Sequence, residues 1–427
     1  MFEVKEKPRL VEKAFLVSVI MREDEREEAE SLLEELAELV QNLGIKVHQK
    51  KVVRTRKTFP SHILGKGKVE EILSLIGELG CDVIIFDNEI SPGQQRNWEE
   101  ASKVLVIDRH EVILDVFAKR AQTKEASLQV QLARLEYSLP RLRRAWTHLG
   151  RQRGGGVTQR GEGEAQIELD QRMLRDKISS TKKEIAQVAV RRSTSRKKRQ
   201  RIPLPTMAIV GYTNAGKSTL LNRMTGSNVI SEDKLFATLD PTSRKVRCPN
   251  GRIIVLTDTV GFIRKLPHRL VDSFKATLEE ALVADLLLHV VDLSNPDFDK
   301  QMHTTTEVLR ELGAQEKEIL TVYNKIDQVD NPLIKTRARD LASPCSFISS
   351  KSGEGVESLI LLAESMLEDR ESPKDYLVPH NQYVLVTRLR EQGALLEEEV
   401  EENGVSVKGA PRGSLANQMK QYISSPD

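Results

Sequence analysis

At residues 211–218 the sequence is Gly211-Tyr212-Thr213-Asn214-Ala215-Gly216-Lys217-Ser218, and this stretch decides the fold. The apolar run before it, residues 206–210, is typical of a buried strand, and Leu220-Leu221-Asn222 is typical of the start of a helix. A strand, a glycine-rich turn and a helix form a phosphate-binding loop, because backbone N–H groups face phosphate oxygens at the positive end of the helix. In such a loop Lys217 reaches the β and γ phosphates, and the Ser218 hydroxyl is a Mg²⁺ ligand. The stretch therefore predicts a nucleoside triphosphate site.

Three more motifs follow, each at the end of an apolar run that predicts a strand. Asp258-Thr259-Val260-Gly261 supplies an aspartate near Mg²⁺ and a glycine N–H for the γ phosphate. Asn324-Lys325-Ile326-Asp327 ends in a carboxylate that can accept hydrogen bonds from the ring N–H and the exocyclic amine of guanine. Ser349-Ser350-Lys351 supplies a backbone N–H for guanine O6. Because adenine has no matching donor pair, the four motifs predict a guanine nucleotide rather than ATP.

The residues alone leave two candidates for the threonine that must reach Mg²⁺ when the γ phosphate is present. Thr238 and Thr242 both lie between Ser218 and Asp258. Hydrophobic periodicity does not choose between them. His268 lies near the same region of the sequence, but a lone histidine in a loop is more often solvated than a general base.

Length and composition restrict the class of protein. A chain of 427 residues predicts roughly three domains. Charged residues make up 30% of the chain and aromatic residues 4%, which suits a helix-rich protein better than a large β-sandwich. The three cysteines (Cys81, Cys248 and Cys345) are too widely spaced for a disulfide framework or a zinc site, and indicate a reducing compartment. No apolar stretch approaches the ~18 residues of a membrane span, and the N-terminus lacks a signal-peptide pattern.

Residues 13–117 alternate between strand and helix patterns. The apolar runs 14–20, 45–53, 83–86 and 104–107 predict strands, and the amphipathic stretches 25–43, 68–79 and 94–101 predict helices. This alternation predicts a small α/β domain with a mostly parallel sheet. Gly65-Lys66-Gly67-Lys68 has two interpretations. We favour an ordinary turn at the start of a helix over a second nucleotide site or a contact with RNA phosphates.

From residue 128 the apolar spacing alternates between four and three, a heptad pattern typical of a long helix that packs on another. The pattern consists of Leu128, Leu132, Leu135, Leu139, Leu142, Trp146 and Leu149. Pro140 falls inside it and predicts an interruption or a bend. A second apolar stripe of helical spacing runs from Ile167 to Val188, so the two segments predict an antiparallel hairpin with a tip loop at 150–163.

The predicted tip is rich in arginine and glycine. Arginines occur at positions 141, 143, 144, 151, 153 and 160, and no acidic residue lies between the first and the last. Arginines on a glycine-rich backbone suit phosphate contacts and base stacking in structured RNA, whereas a solvated, flexible loop is the alternative. A second basic cluster, residues 191–201, has seven positive residues and is either an RNA contact or a basic linker.

The sequence after residue 370 predicts a small α+β module. Residues 382–388 predict a strand, and Asn403-Gly404 predicts the turn of a β-hairpin. Ser414 precedes a short amphipathic helix. The module has few exposed chemical groups, so it suits docking better than catalysis.

The whole chain resembles the HflX family within the Obg and HflX superfamily of translational GTPases. The nucleotide motifs carry the superfamily resemblance. The family resemblance comes from Gly154-Gly155-Gly156-Val157-Thr158-Gln159-Arg160-Gly161-Glu162-Gly163-Glu164-Ala165-Gln166-Ile167-Glu168 and from Leu235-Phe236-Ala237-Thr238-Leu239-Asp240. It implies hydrolysis of GTP to GDP and phosphate, GTP contacts from residues 211–218, 236–240, 258–261, 324–327 and 349–351, and Mg²⁺ ligands at Ser218 and Thr238. It also implies binding to the large ribosomal subunit and ribosome dissociation, with Arg151, Arg153 and Arg160 placed to contact ribosomal RNA.

Two residues sharpen the expected mechanism. Phe262 stands where Ras-like GTPases carry the glutamine that orients the attacking water, and phenylalanine cannot do this. We therefore expect slow hydrolysis by the protein alone and stimulation by the ribosome. Asn214 occupies the position that resembles the K⁺ ligand of potassium-activated relatives, although the same side chain could only hydrogen-bond within its loop.

The predicted organisation has four parts. These are an N-terminal α/β domain (1–120), a helical hairpin (121–200), a P-loop GTPase domain (201–368) and a small α+β domain (369–427). We expect a cytoplasmic monomer, with peripheral membrane association as a further option. The alternative function is a GTP-switched RNA-binding adaptor or assembly factor on the large subunit that does not split ribosomes. A regulatory GTPase that acts on a protein partner is the third hypothesis.

Overall fold

The computed structural model describes residues 11–145, 159–199, 204–226, 235–236, 241–265, 281–371, 373–391, 393–411 and 414–424. The chain divides into two compact units, each assembled from three segments. The first unit consists of residues 1–196, 234–239 and 264–274, and the second of residues 197–233, 240–263 and 275–427. Two short segments from the middle of the chain therefore belong to the same unit as the N-terminal region.

The first unit contains a four-stranded parallel sheet. Its strands, in the spatial order β2-β1-β3-β4, are β1 (Lys13–Ile20), β2 (Lys46–Arg54), β3 (Val83–Phe86) and β4 (Leu105–Asp108). Its helices are α1 (Arg26–Asn42), α2 (Lys66–Leu79), α3 (Pro92–Ser102) and α4 (Arg109–Arg120). The central strands β1 and β3 are buried on both faces, as expected when helices cover a parallel sheet. The prediction of a small α/β domain with a parallel sheet is confirmed.

Helix α3 shows how local sequence sets an element boundary. The Ser91 hydroxyl accepts a hydrogen bond from the Gln94 N–H at 3.3 Å, and the Gln94 side chain accepts one from the Ser91 N–H at 2.9 Å. This reciprocal capping satisfies two N–H groups that the first helical turn would otherwise leave unpaired, and Pro92 fits the first turn because it has no N–H to satisfy. The helix then buries Trp98, whose indole N–H donates to the His62 carbonyl at 2.9 Å.

A buried ion network lies in the first unit, formed by Glu35, Asp87, Arg109, Arg264 and Lys265. Arg109 is 1% exposed, and it donates to Asp87 Oδ1 at 2.8 Å and also contacts Glu35 Oε1. Lys265 Nζ lies 2.7 Å from Asp87 Oδ2, and Arg264 Nε lies 3.3 Å from Glu35 Oε2. The network joins α1, the end of β3 and the start of α4 to residues 264–265, which are remote in sequence.

Two long helices follow in the first unit, α5 (Lys124–Ala145) and α6 (Gln159–Arg199). Pro140 lies inside α5, and the helix continues through it and forgoes the hydrogen bond that a residue 140 N–H would donate; the predicted bend stays a prediction. Residues 159–163 are helical rather than part of a tip loop, because neighbouring good helix formers offset the roughly 1 kcal/mol cost of each glycine. Lys182 Nζ and Glu136 Oε1, 2.8 Å apart, pair the two helices.

Arg141, which belongs to the arginine-rich stretch, is engaged within the first unit. Its guanidinium lies 3.4 Å over the Tyr137 ring, and Nη2 lies 3.0 Å from Asp108 Oδ2. The Tyr137 hydroxyl donates to Asp108 Oδ1 at 2.9 Å. This arginine therefore ties the C-terminal part of α5 to the end of β4 rather than presenting its charge to a partner.

Replacing Glu111 with glutamine is expected to stabilise the first unit at alkaline pH. Burial raises the pKa of Glu111 from 4.5 to about 7, and the Asp108 and Asp115 carboxylates add to the shift. Because the folded-state pKa is the higher one, the cost of the charge is fully present above pH 7 and disappears below about pH 4.5. Glu111→Gln should raise the free energy of unfolding by about 1–3 kcal/mol at pH 8.

Urea denaturation followed by Trp98 fluorescence, in a Trp146→Phe background, measures this free energy for the first unit. The gain should shrink as the pH falls and be absent near pH 4.5. A gain of equal size at both pH values would show that glutamine acts through packing rather than through removal of charge.

The second unit contains a six-stranded sheet in the spatial order β10-β9-β8-β5-β7-β6. The strands are β5 (Thr206–Gly211), β6 (Thr242–Arg247), β7 (Ile253–Asp258), β8 (Leu286–Asp292), β9 (Ile319–Asn324) and β10 (Cys345–Phe347), and only β6 is antiparallel. The flanking helices are α7 (Lys217–Thr225), α8 (Phe298–Glu311), α9 (Pro332–Leu341) and α10 (Val356–Glu371). The predicted α/β class is confirmed, and β6 is an edge strand that sequence periodicity did not indicate.

The C-terminal part of the second unit is a three-stranded antiparallel sheet with helices. Its elements are β11 (Lys374–Val378), α11 (Tyr383–Glu391), β12 (Leu395–Glu401), β13 (Gly404–Gly409) and α12 (Ser414–Met419). The predicted strand at 382–388 is wrong, since these residues belong almost entirely to α11. Leu385, Val386 and Leu389 enter the local core at helical spacing, and this packing overrides the strand propensity of the β-branched residues. In the described part of the chain, no helix is long and apolar enough to cross a membrane.

Candidate functional site

The glycine-rich loop links β5 to α7, as the sequence predicts. Gly216 has φ +91°, and a Cβ there would lie 2.2 Å from Asn324 Nδ2, so only glycine fits. Gly261, from the second motif, lies close to Lys217: a Cβ on Gly261 would be 2.8 Å from Lys217 Nζ. Gly261 therefore leaves bare backbone beside the Lys217 ammonium, and Gly216 lets the loop pack against Asn324; both features suit a loop that admits phosphate oxygens.

Lys217 is held inside this loop rather than extended into solvent. It is 7% exposed, and its Nζ donates to the carbonyls of Tyr212 at 2.6 Å and Gly211 at 3.2 Å. Burial lowers the pKa of Lys217 to about 8, and Asp258 opposes this shift. The side chain is therefore mostly an ammonium at neutral pH, but one that has lost much of its hydration. An anion bound beside this buried ammonium would be stabilised more strongly than an anion bound beside a surface lysine.

Thr213 provides an independent test of whether the loop fits an anion. Its N–H donates to the Phe262 carbonyl at 2.8 Å, whereas its buried hydroxyl has no hydrogen-bond partner among the described residues. Buried hydroxyls in native proteins are nearly always bonded, so this one suits a ligand oxygen. The loop thus fits a phosphate by its shape, its charge and its hydroxyl group.

Ser218 and Asp258 bring two hard oxygen donors together at the mouth of the loop. Ser218 Oγ donates to Asp258 Oδ2 at 2.7 Å, across 40 residues of sequence. Mg²⁺ prefers oxygen ligands and binds proteins through one or two side chains while phosphates and water complete its shell. The donor set fits this ion, and Ser218 and Asp258 are the residues that would hold it.

Asn324 joins the other motifs to the phosphate-binding loop. Its Nδ2 donates to the Ala215 carbonyl at 2.8 Å, and its Oδ1 accepts from the N–H and the hydroxyl of Ser350, both at 2.9 Å. Asp327 is exposed on the one-turn helix Ile326–Gln328. One buried amide therefore fixes the spacing between the loop and the segment that carries Asp327.

The second motif is anchored beneath the loop. The Thr259 hydroxyl donates to the Ile209 carbonyl at 2.6 Å, and the Phe262 N–H donates to the Gly211 carbonyl at 3.1 Å. The Phe262 side chain is buried, so it cannot orient a water molecule for attack. Gly261 is thus held between two fixed residues, with its backbone facing Lys217.

Several predicted residues lie outside the described part of the chain: Arg151, Arg153, Ala237, Thr238, Leu239, Asp240 and His268. Arg160 lies in the first turn of α6. Phe236 belongs to the first unit, where its ring packs edge-to-face on Phe117 with centroids 4.5 Å apart. Thr242 begins β6, directly across the ladder from Asp258. The assignment of Thr238 to Mg²⁺ stays a prediction, as does that of Asn214 to K⁺.

Sequence reasoning missed three residues that shape this site. Asp292 ends β8 and pairs with Lys325, Oδ2 to Nζ, at 2.7 Å. His289 is buried in the same strand, and burial, helped by the charge of Lys217, lowers its pKa to about 4, so it is neutral. Arg223, on α7, contacts the segment that carries Ser350 and Lys351. Asp292 could have been found, because it follows an apolar run as the other motifs do.

Three family profiles match the chain. They are described as GTP-binding GTPase N-terminal (residues 30–118), GTP-binding GTPase Middle Region (120–199) and 50S ribosome-binding GTPase (206–325).

Several curated proteins named GTPase HflX are similar over nearly their whole length. The one from Akkermansia muciniphila is 44% identical and covers 99% of this chain and 100% of its own. The one from Lacrimispora saccharolytica is 45% identical over 95% of each chain, and that of Escherichia coli K12 is 39% identical over 92% of each. Among solved structures, a complex of SsGBP with GDP is 26% identical over 83% of this chain and 98% of its own, with a TM-score of 0.47.

Proposed function

Because the chain belongs to the HflX family and is a GTPase, we propose that in its GTP state it binds the large ribosomal subunit and separates ribosomal subunits. The observation that carries the proposal is the match of residues 206–325 to a profile described as 50S ribosome-binding GTPase. The geometry of the phosphate-binding loop supports a switch that depends on the γ phosphate.

The chain's own groups account for binding and sensing of the nucleotide. Lys217 and the Thr213 hydroxyl bind phosphate oxygens, and Asp327 binds the guanine edge. Ser218 and Asp258 hold Mg²⁺, which when bound neutralises phosphate charge. The Gly261 N–H meets the γ phosphate, and three and four residues later the chain reaches Arg264 and Lys265 of the buried ion network. Loss of the γ phosphate would release this segment and so end the ribosome-bound state.

Two features of the site suggest that hydrolysis needs help from a partner. Phe262 is buried and supplies no group that could orient water. The ribosome would complete the site, and a K⁺ ion on Asn214 would add positive charge near the phosphates. Purified protein should therefore turn over GTP slowly, and faster with large subunits. Equal rates of GTP hydrolysis in K⁺ and Na⁺ would show that hydrolysis does not depend on a K⁺ ion bound at Asn214.

Sedimentation of ribosomes through sucrose gradients tests the proposal directly. With a non-hydrolysable GTP analogue, the protein should co-migrate with large subunits and deplete the intact-ribosome peak, and with GDP it should do neither. Binding that leaves intact ribosomes unchanged would favour the adaptor or assembly-factor alternative. Absence of binding with both nucleotides would indicate a protein partner instead.

Replacing Arg151, Arg153 and Arg160 with alanine should weaken binding to the large subunit by about tenfold or more at moderate salt. Each lost phosphate contact should also lower the slope of log affinity against log salt by about 0.7–0.9. Co-sedimentation at a series of KCl concentrations measures both effects. The matched control removes three exposed arginines of the second unit, Arg310, Arg337 and Arg339. Equal losses in the two variants would show that net charge, not the tip, drives binding.

A further inference from the structure

We propose that Arg223 is a positioning residue for guanine recognition, which fixes the orientation of the segment Ser349–Lys351. The proposal rests on the assignment of that segment to the base, not on ribosome binding. Arg223 lies on α7, six residues after Lys217, so it sits on the helix that begins at the phosphate-binding loop. Its Nε donates to the Ser350 carbonyl at 3.2 Å, and its Nη2 contacts the Lys351 carbonyl.

The hydrogen bonds of the segment show which N–H is available to guanine O6. In the described part of the chain, internal partners already engage four N–H groups: those of Ser349, Ser350, Ser352 and Gly353. The partner of the Ser350 N–H is the Asn324 side chain, at 2.9 Å. The N–H of Lys351 is the one that remains, so it is the donor we assign to O6.

Planarity of the peptide bond connects Arg223 to that donor. The Ser350 carbonyl and the Lys351 N–H belong to one trans peptide unit, in which the C=O and N–H bonds point in opposite directions. By holding the Ser350 oxygen, the guanidinium therefore sets the direction of the Lys351 N–H. Its second contact, to the Lys351 carbonyl, fixes the next peptide plane, and the rigid fork of an arginine suits two successive carbonyls.

Packing supports the same role. Gly353 has φ +93°, and a Cβ built there would lie 3.6 Å from Arg223 Cζ and Nε. The backbone at Gly353 thus lies against the guanidinium. Asn324 holds the segment at Ser350 from one side, and Arg223 holds it from α7. Without Arg223, the peptide between Ser350 and Lys351 keeps a restraint on its first residue but none on its carbonyl.

The test compares affinities of the full chain for diphosphates that differ in the base. GDP carries O6, the ring N–H and the 2-amino group; 2-aminopurine riboside diphosphate lacks O6 and the ring N–H, and IDP lacks only the 2-amino group. The contact of the ring N–H with Asp327 is the same in the wild type and the Arg223 variants, so a change in the preference over the 2-aminopurine nucleotide between them reports on O6. The wild type should prefer GDP over both analogues. Arg223→Ala should weaken GDP binding by about tenfold, reduce the preference over the 2-aminopurine nucleotide, and leave the preference over IDP unchanged, since Asp327 reads the 2-amino group.

Arg223→Lys should give intermediate values, because an ammonium can hold one carbonyl but not the fork. Arg310→Ala, on α8, is the matched control and should bind as the wild type does. Equal loss of both preferences in Arg223→Ala would indicate general damage to the pocket and overturn the proposal, as would an unchanged preference over the 2-aminopurine nucleotide. A wild type that does not prefer GDP over that nucleotide would instead refute the assignment of Lys351 to O6.

Discussion

Lys217→Ala is expected to weaken GTP binding by roughly two to three orders of magnitude. The ammonium is buried and held by two carbonyls beside the backbone of Gly261, so a phosphate there meets a poorly hydrated charge. Hydrogen bonds to charged groups contribute about 1.5–3 kcal/mol each, and loss of two such bonds gives the expected factor. The substitution also removes one of the donors to each of the carbonyls of Gly211 and Tyr212, which keep the N–H groups of Phe262 and Ala215.

Isothermal titration with GTP analogue and with GDP measures the loss and locates it. Since Lys217 reaches both the β and the γ phosphate, the affinity for the triphosphate should fall further than that for the diphosphate. Lys245→Ala is the matched control, because Lys245 is an exposed lysine of β6 in the same unit. A loss of less than fivefold, or an equal loss for both nucleotides, would contradict the assigned position of Lys217.

The position of each nucleotide motif at the end of a strand was predictable because it depends on residues adjacent in sequence. Each motif follows an apolar run, and each run is a strand of the second unit: the loop after β5, Asp258 at the end of β7 and Asn324 at the end of β9. Strands buried on both faces need continuous apolar runs, so periodicity finds them with little help from context.

The contacts that tie these motifs together were not predictable. Arg223 lies 127 positions from Ser350, and nothing in its neighbourhood distinguishes it from a surface arginine of a helix. The strand predicted at 382–388 failed for a related reason: its β-branched and apolar residues favoured a strand, whereas the packing of Leu385, Val386 and Leu389 against the local core requires helical spacing. Local sequence indicates where helices and strands can form. When a helix and a strand have similar local free energy, contacts with residues remote in sequence determine which of them forms.

The buried ion network is the largest feature that sequence reasoning missed, and it carries the second large prediction. Asp87→Ala should lower the free energy of unfolding of the first unit by about 3–5 kcal/mol. Asp87 is fully buried and accepts from Arg109 at 2.8 Å and from Lys265 at 2.7 Å. Removal of the carboxylate leaves the Arg109 guanidinium buried with Glu35 as its remaining acidic partner, and burial of an undercompensated charge is costly.

Urea denaturation followed by Trp98 fluorescence, with Trp146 replaced by phenylalanine, isolates the first unit. The matched control is Asp115→Ala, because Asp115 pairs with Arg134 where both side chains are 46% exposed, and such pairs contribute about 1 kcal/mol or less. Adding Arg109→Met to an Asp87→Leu variant should recover part of the loss, because it removes the buried charge together with its partner. If Asp87→Ala and Asp115→Ala cost the same, the network contributes no more than a surface pair, and the anchoring of Arg264 and Lys265 must come from other contacts.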